Sequence, residues 1–65
     1  MNDFITFLNE TAQFGNEYVL TDENNIQCWN NNNLIMIAEI SDEKINEIEN
    51  ANYNDYPNIE LDWQI

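Results

Sequence analysis

Phe4, Phe7, Leu8 and Thr11 fall on one face of a 3.6-residue period, with Asn2 or Asp3 placed to cap the start and Gly15 placed for a left-handed end. This predicts a first helix over Asp3 to Phe14. From Glu17 onward the pattern changes to short β-rich runs at Glu17 to Thr21, Ile26 to Trp29 and Leu34 to Ile40. Polar turns at Asp22-Glu23-Asn24-Asn25 and at Asn30 to Asn33 separate them, which predicts a three-stranded antiparallel meander. Asn tolerates positive φ better than most residues, so the run of four Asn reads as a tight turn. Leu34 to Ala38 is apolar at both parities, as expected of a central strand with helices on one side and room for a partner subunit on the other.

Ser41 is placed to cap a second helix from Asp42 to about Ala51, with Asp42 and Glu43 in its first turn and Ile45 and Ile48 as a narrow apolar stripe. Tyr53 to Asn58, which contains Pro57, is expected to be a loop. The last segment alternates, with Ile59, Leu61, Trp63 and Ile65 on one face and Glu60, Asp62 and Gln64 on the other, and predicts a terminal strand with an acidic outer face. The order α-β-β-β-α-β defines a single small α+β domain over residues 1–65, with two helices on one face of the sheet. No internal repeat or linker interrupts it.

Charge changes the picture more than any motif does. Thirteen Asp and Glu stand against Lys44 alone, with no Arg and no His, for a net charge of −12 and a pI near 4.1. Direct binding of nucleic acid through a basic surface is excluded, because no cations exist to displace counterions from phosphates. The mean hydropathy of −0.61 comes largely from fourteen Asn, while 43% of residues are hydrophobic and 12% aromatic, so the chain is expected to fold. Self-repulsion of the carboxylates works against that fold, most strongly at low salt.

Candidate chemistry is sparse. Without His, the commonest general base and the usual activation of Ser or Cys are missing, and a domain this small rarely forms a cleft deep enough for paired carboxylates to act on a sugar. The expectation is a protein that is not an enzyme. Cys28 is the only cysteine, which rules out an intramolecular disulfide and leaves it as a buried structural thiol. Asp22-Glu23-Asn24-Asn25 resembles half of a calcium loop, but Ile26 falls at the fifth ligand position, Gln27 replaces the turn glycine and Asn33 replaces the bidentate Glu. Neither a metal nor a cofactor is expected. The start of the chain lacks a basic n-region and a long apolar core, and the longest apolar run, Leu34 to Ala38, is five residues. A cytoplasmic protein that does not enter a membrane is the expectation.

The carboxylates are unevenly spread. Ile26 to Ala38 carries no charge, whereas Glu39 to Glu49 holds Glu39, Asp42, Glu43, Glu47 and Glu49 against Lys44. Glu43 and Glu47 are spaced i, i+4, and Glu60 and Asp62, two apart on the last strand, are separated by roughly 6 to 7 Å. A nucleic-acid strand presents a phosphate about every 3.4 Å of axis, so such rows approximate a stretch of backbone. Ordinary domains mix both signs and carry a net charge of about 2 to 8 in magnitude; this excess suits either steering toward a basic partner or plain solubility. The predicted partner-binding residues are Asp42, Glu43, Glu47, Glu49, Asp55, Glu60 and Asp62, with Asp22 and Glu23 at the hairpin turn as a second patch. Trp29, Tyr53, Tyr56 and Trp63 are either exposed anchors or core residues, and the alternation around Trp63 favours the core.

A tiny, acidic, His-free, Asn- and Ile-rich α+β chain resembles phage-encoded inhibitors that mimic DNA, especially the anti-CRISPR proteins of low-GC bacteria. The stretch Gly15-Asn16-Glu17-Tyr18-Val19 is similar to one in a nuclease-inhibiting family that also opens with a helix and a three-stranded antiparallel sheet. This chain departs from that family in its shorter length and its expected terminal strand. The resemblance implies a non-enzymatic inhibitor that occupies the basic groove of a nucleic-acid-binding protein, such as a CRISPR effector or another phage-defence protein, in a bacterial host cytoplasm. The alternative is an antitoxin, immunity-type or adaptor module, possible also as a homodimer through an exposed apolar patch.

Overall fold

A computed structural model describes all residues 1–65. Its elements are α1 (Asn2–Glu10), β1 (Asn16–Leu20), β2 (Asn25–Asn30), β3 (Asn33–Glu39), α2 (Asp42–Asn50), a 3-10 helix (Tyr53–Asn58) and β4 (Trp63–Gln64). The strands form one antiparallel sheet in the order β1-β2-β3-β4, so the chain is the expected α+β meander.

The turns follow from side chains that accept left-handed backbone. Asn31 and Asn32, at φ 50° and 66°, form the two-residue connection between β2 and β3 that suits the right-handed twist of a hairpin. The β1–β2 connection closes on Thr21, whose N–H donates to Asn25 O at 2.8 Å, while Asn24 takes φ 59°. Gly15 sits at φ +89°, and a Cβ there would lie 3.1 Å from Asn30 Nδ2. The conformation favours glycine at this entry to β1, and a Cβ would also crowd the Asn30 amide.

Helix α1 stops at Glu10, four residues before the predicted end. Asn9, in the last turn, ties the end of the helix to β1: its amide accepts from the Tyr18 N–H at 2.8 Å and donates to Tyr18 O at 3.1 Å and to Ile5 O at 3.2 Å. One side chain thus satisfies the outer edge of β1 where another strand would pair. Thr11 bonds back to Phe7 O through both N–H and hydroxyl, and Gly15 serves the strand rather than the helix end. The start differs too: the cap position is Met1, and neither Asn2 nor Asp3 makes a cap bond. Helix α2 matches the expectation closely, with the Lys44 N–H donating to Ser41 Oγ at 3.1 Å.

The core lies between the helices and one face of the sheet, around Phe4, Ile26, Ala38, Ile40, Ile48 and Tyr56. The expected loop at Tyr53 to Asn58 is a 3-10 helix because Tyr56 is drawn inside, its ring edge-on to Phe4 at 5.2 Å between centroids. Tyr18 and Trp63 lean in from the two edge strands on the same side, 5.6 Å apart, over the small buried side chains of Cys28 and Ala38. The terminal strand is shorter than its alternation implies. Only Trp63 and Gln64 pair with Ala38 and Ile37, Glu60 and Asp62 precede the strand, and Ile65 is fully exposed instead of joining Ile59, Leu61 and Trp63 against the core. No helix is long and apolar enough to cross a membrane.

Candidate protein-binding surface

All nine predicted partner-binding carboxylates are exposed. The fold gathers some of them and disperses the rest. Around the Ile40-Ser41 connection between β3 and α2, two adjoining shallow recesses share Glu39 and Ser41. One, of about 460 Å³, adds Glu23, Asn24, Asn25 and Ile40; the other, of about 300 Å³, adds Lys44, Glu60, Leu61 and Asp62. Four separate chain segments therefore meet at one end of the molecule: the β1–β2 turn, the end of β3, the start of α2 and the approach to β4.

Each segment has a local cause. Pairing of Asn25 with Glu39 places the Asp22-Glu23 turn beside the end of β3. Ser41 breaks the strand and caps α2, which puts Asp42 and Glu43 in the first turn, where the helix dipole favours negative charge. Burial of Ile59, Leu61 and Trp63 against the core leaves Glu60 and Asp62 pointing to solvent. Lys44, the only cation among the side chains, lines the second recess, but its Nζ donates to Glu47 Oε1 at 3.0 Å. The acidic pole consequently holds Glu23, Glu39, Glu60 and Asp62, with Asp22, Asp42 and Glu43 adjoining in sequence.

Glu47, Glu49 and Asp55 stand apart. Glu47 is engaged by Lys44, which offsets its like-charge pairing with Glu43 one turn earlier. Glu49 Oε1 accepts from the Met1 ammonium at 2.8 Å, and Asp55 lies on the 3-10 helix. Glu60 and Asp62 do not form a regular strand row, since the residues around them are not in β4. Glu39 belongs to the pole although the predicted contact set omits it; its signal is the strand register, which puts the end of β3 opposite Asn25 next to the acidic turn.

The aromatic residues divide. Tyr56 is buried and Trp63 packs on the core, whereas Tyr53 is half exposed and donates its hydroxyl to Glu10 Oε2 at 2.9 Å. That bond and the adjacent negative charge hold the Tyr53 hydroxyl above the ordinary phenol value. Burial, reinforced by Cys28, raises Tyr18 in the same direction. Trp29 lies half-buried on the sheet face that no helix covers.

Cys28 is fully buried with a free thiol, and no group of three or more His, Cys, Asp or Glu is arranged to hold a metal ion. No protein-family model, curated protein or solved structure matches the chain.

Proposed function

We propose that the protein is a non-enzymatic inhibitor that occupies the basic groove of a nucleic-acid-binding protein, in the manner of phage-encoded DNA mimics directed at a CRISPR effector or another defence protein. The single observation that carries this reading is the acidic pole: Glu23, Glu39, Glu60 and Asp62 are brought together from segments distant in sequence, and the one nearby cation is already engaged by Glu47. Clustered carboxylates raise the local negative potential, steer a cationic groove onto that end, and accept hydrogen bonds there from Arg and Lys. The cytoplasm of a bacterial host is where such a partner would be met.

A second reading has its own observation. The uncovered sheet face presents Val19, Leu34 and Ile35 to solvent, which favours a shape-specific adaptor, antitoxin or immunity-type module.

The experiment is capture by the tagged protein from bacterial lysate, with and without excess duplex DNA, followed by identification of what is held. The expected result is a basic nucleic-acid-binding protein that DNA displaces. Capture unaffected by DNA would transfer the reading to the adaptor class, and no capture would leave the charge as a determinant of solubility.

A further inference from the structure

We propose that the face of the sheet opposite the helices is a docking surface for a partner protein presenting an apolar side chain between two cationic ones, preferably arginines. The inference rests on the reading above only in taking the partner to be basic; it assigns a different face, which shares Glu39 alone with the acidic carboxylates of the pole, and a different chemistry.

Two recesses lie on this face. One, of about 450 Å³, is walled by Val19 and Trp29 and rimmed by Glu17. The other, of about 330 Å³, is walled by Leu34, Ile35 and Ile37 and rimmed by Glu39. Trp29 and Leu34, directly opposed in the β2–β3 ladder, stand between them. The Trp29 indole N–H donates to Gln27 Oε1 at 3.0 Å, which ties the ring to this face. Each recess thus couples an apolar wall to one carboxylate, and no cation lines either.

That combination matches an arginine side chain. Its methylene stem lies on apolar wall, its guanidinium pairs with the carboxylate, and in the first recess its plane stacks on the indole. Glu17 is opposite Trp29 and Glu39 opposite Asn25, so the two carboxylates are about 17 Å apart across an idealised sheet. Residues i and i+4 of an extended segment point the same way about 14 Å apart, and flexible side chains cover the difference. The residue midway, at i+2, falls over Gln27 between Val19 and Ile37, its ladder partners, and is best apolar to meet those two side chains.

A second copy of the chain fits this face poorly. Face-to-face pairing brings Glu17 and Glu39 from each copy to the seam with no cation to meet them, because Lys44 lies on α2 and is engaged by Glu47. The net charge of −12 per chain adds to the repulsion.

The test is an NMR titration of the isotopically labelled full chain with the capped pentapeptide Arg-Val-Leu-Val-Arg. Saturable shifts are expected at Val19, the Trp29 indole, Leu34 and Ile37, half-complete at about 1 mM, as suits a small ligand with two exposed ion pairs. Capped Glu-Val-Leu-Val-Glu and Arg-Gly-Ser-Gly-Arg should each bind about tenfold more weakly, since one lacks the cations and the other the apolar centre. The exposed double variant Glu17→Gln, Glu39→Gln retains the core and should weaken the first peptide about fivefold. Equal binding of all three peptides, or an unchanged affinity in the double variant, would overturn the proposal. Shifts confined to Glu23, Glu60 and Asp62 would also overturn it while leaving the acidic-pole reading intact. Sedimentation showing a dimer that already perturbs Trp29 and Leu34 without peptide would give the face to a second copy and equally overturn it.

Discussion

Strand β2 alternates, with Ile26 and Cys28 fully buried under the helices and Asn25, Gln27 and Trp29 on the other side. Strand β3 does not, because Leu34 and Ile37 on the uncovered side are as apolar as Ala38 against the core. The two faces of one sheet are therefore built to different rules. On the covered face apolar area is removed from water within the chain and contributes to folding. On the open face Leu34 keeps 43% of its exposure and Val19 39%, so folding removes only part of their apolar area from water, against all of it at Phe4 and Ile26. The apolar area that folding leaves exposed is available for contact with another molecule.

The largest effect that can break this comparison comes from the covered face. Phe4→Ala removes a fully buried ring and its contact with Tyr56, and should cost about 3–5 kcal/mol in urea unfolding. That loss is comparable to the whole stability of a domain this size, about 3–10 kcal/mol. A loss below about 1 kcal/mol would mean that the core is not where the fold places it.

Next is the guarded edge of the sheet. Asn9→Ala deprives the Tyr18 N–H and C=O of their partners and should destabilise by about 1–2 kcal/mol. Hydrogen exchange at the Tyr18 amide should accelerate more than at Ile26. Uniform acceleration would assign the loss to global unfolding alone.

On the open face, Leu34→Thr should cost no more than about 1 kcal/mol, and the contrast with Phe4→Ala is the comparison in its sharpest form. A cost of about 2 kcal/mol or more would show that this face contributes to the core after all.

The smallest effect is in alkali. Tyr18 and Tyr53 both have folded-state values above the phenol reference of 10.0, Tyr18 through burial first and Tyr53 through its bond to Glu10 first. Their contribution is fully present below the unfolded value and is lost as pH rises through the raised folded values. Thermal midpoints should decline above pH 10, and the decline should be shallower in Tyr18→Phe. An identical decline in that variant would remove Tyr18 as a cause.

Where residues act locally, sequence alone was sufficient to read them. Asn31 and Asn32 make the tight turn because Asn accepts positive φ, and Ser41 caps α2 because its oxygen meets a free N–H one turn on. Ile48 is buried as the stripe implies. Apart from the cap of α1, the misreadings involve partners distant in the chain. The apolar spacing through Thr11 carries no trace of the Asn9 bonds that tie the last turn of α1 to Tyr18. Tyr53 to Asn58 reads as a loop until Phe4 and Phe7 supply rings for Tyr56. Ile65 completes an alternating pattern yet lies beyond the two-residue ladder of β4. The acidic pole is legible only in part for the same reason. Asp42 and Glu43 follow from the cap, but grouping Glu23 and Glu39 with Glu60 and Asp62 needs the strand order, which composition does not contain.

The most direct test of the central claim is made on the partner identified by capture, comparing the wild-type chain with a variant carrying Asp22→Asn, Glu23→Gln, Glu60→Gln and Asp62→Asn. These changes keep shape and remove charge, so stability at low salt should hold or rise. Wild-type affinity should fall at least about tenfold between 50 and 200 mM salt, and the variant should bind at least about tenfold more weakly at the lower salt with a flatter salt dependence. Equal affinity of the two chains across that range would contradict the claim that the acidic pole occupies a groove built for nucleic acid.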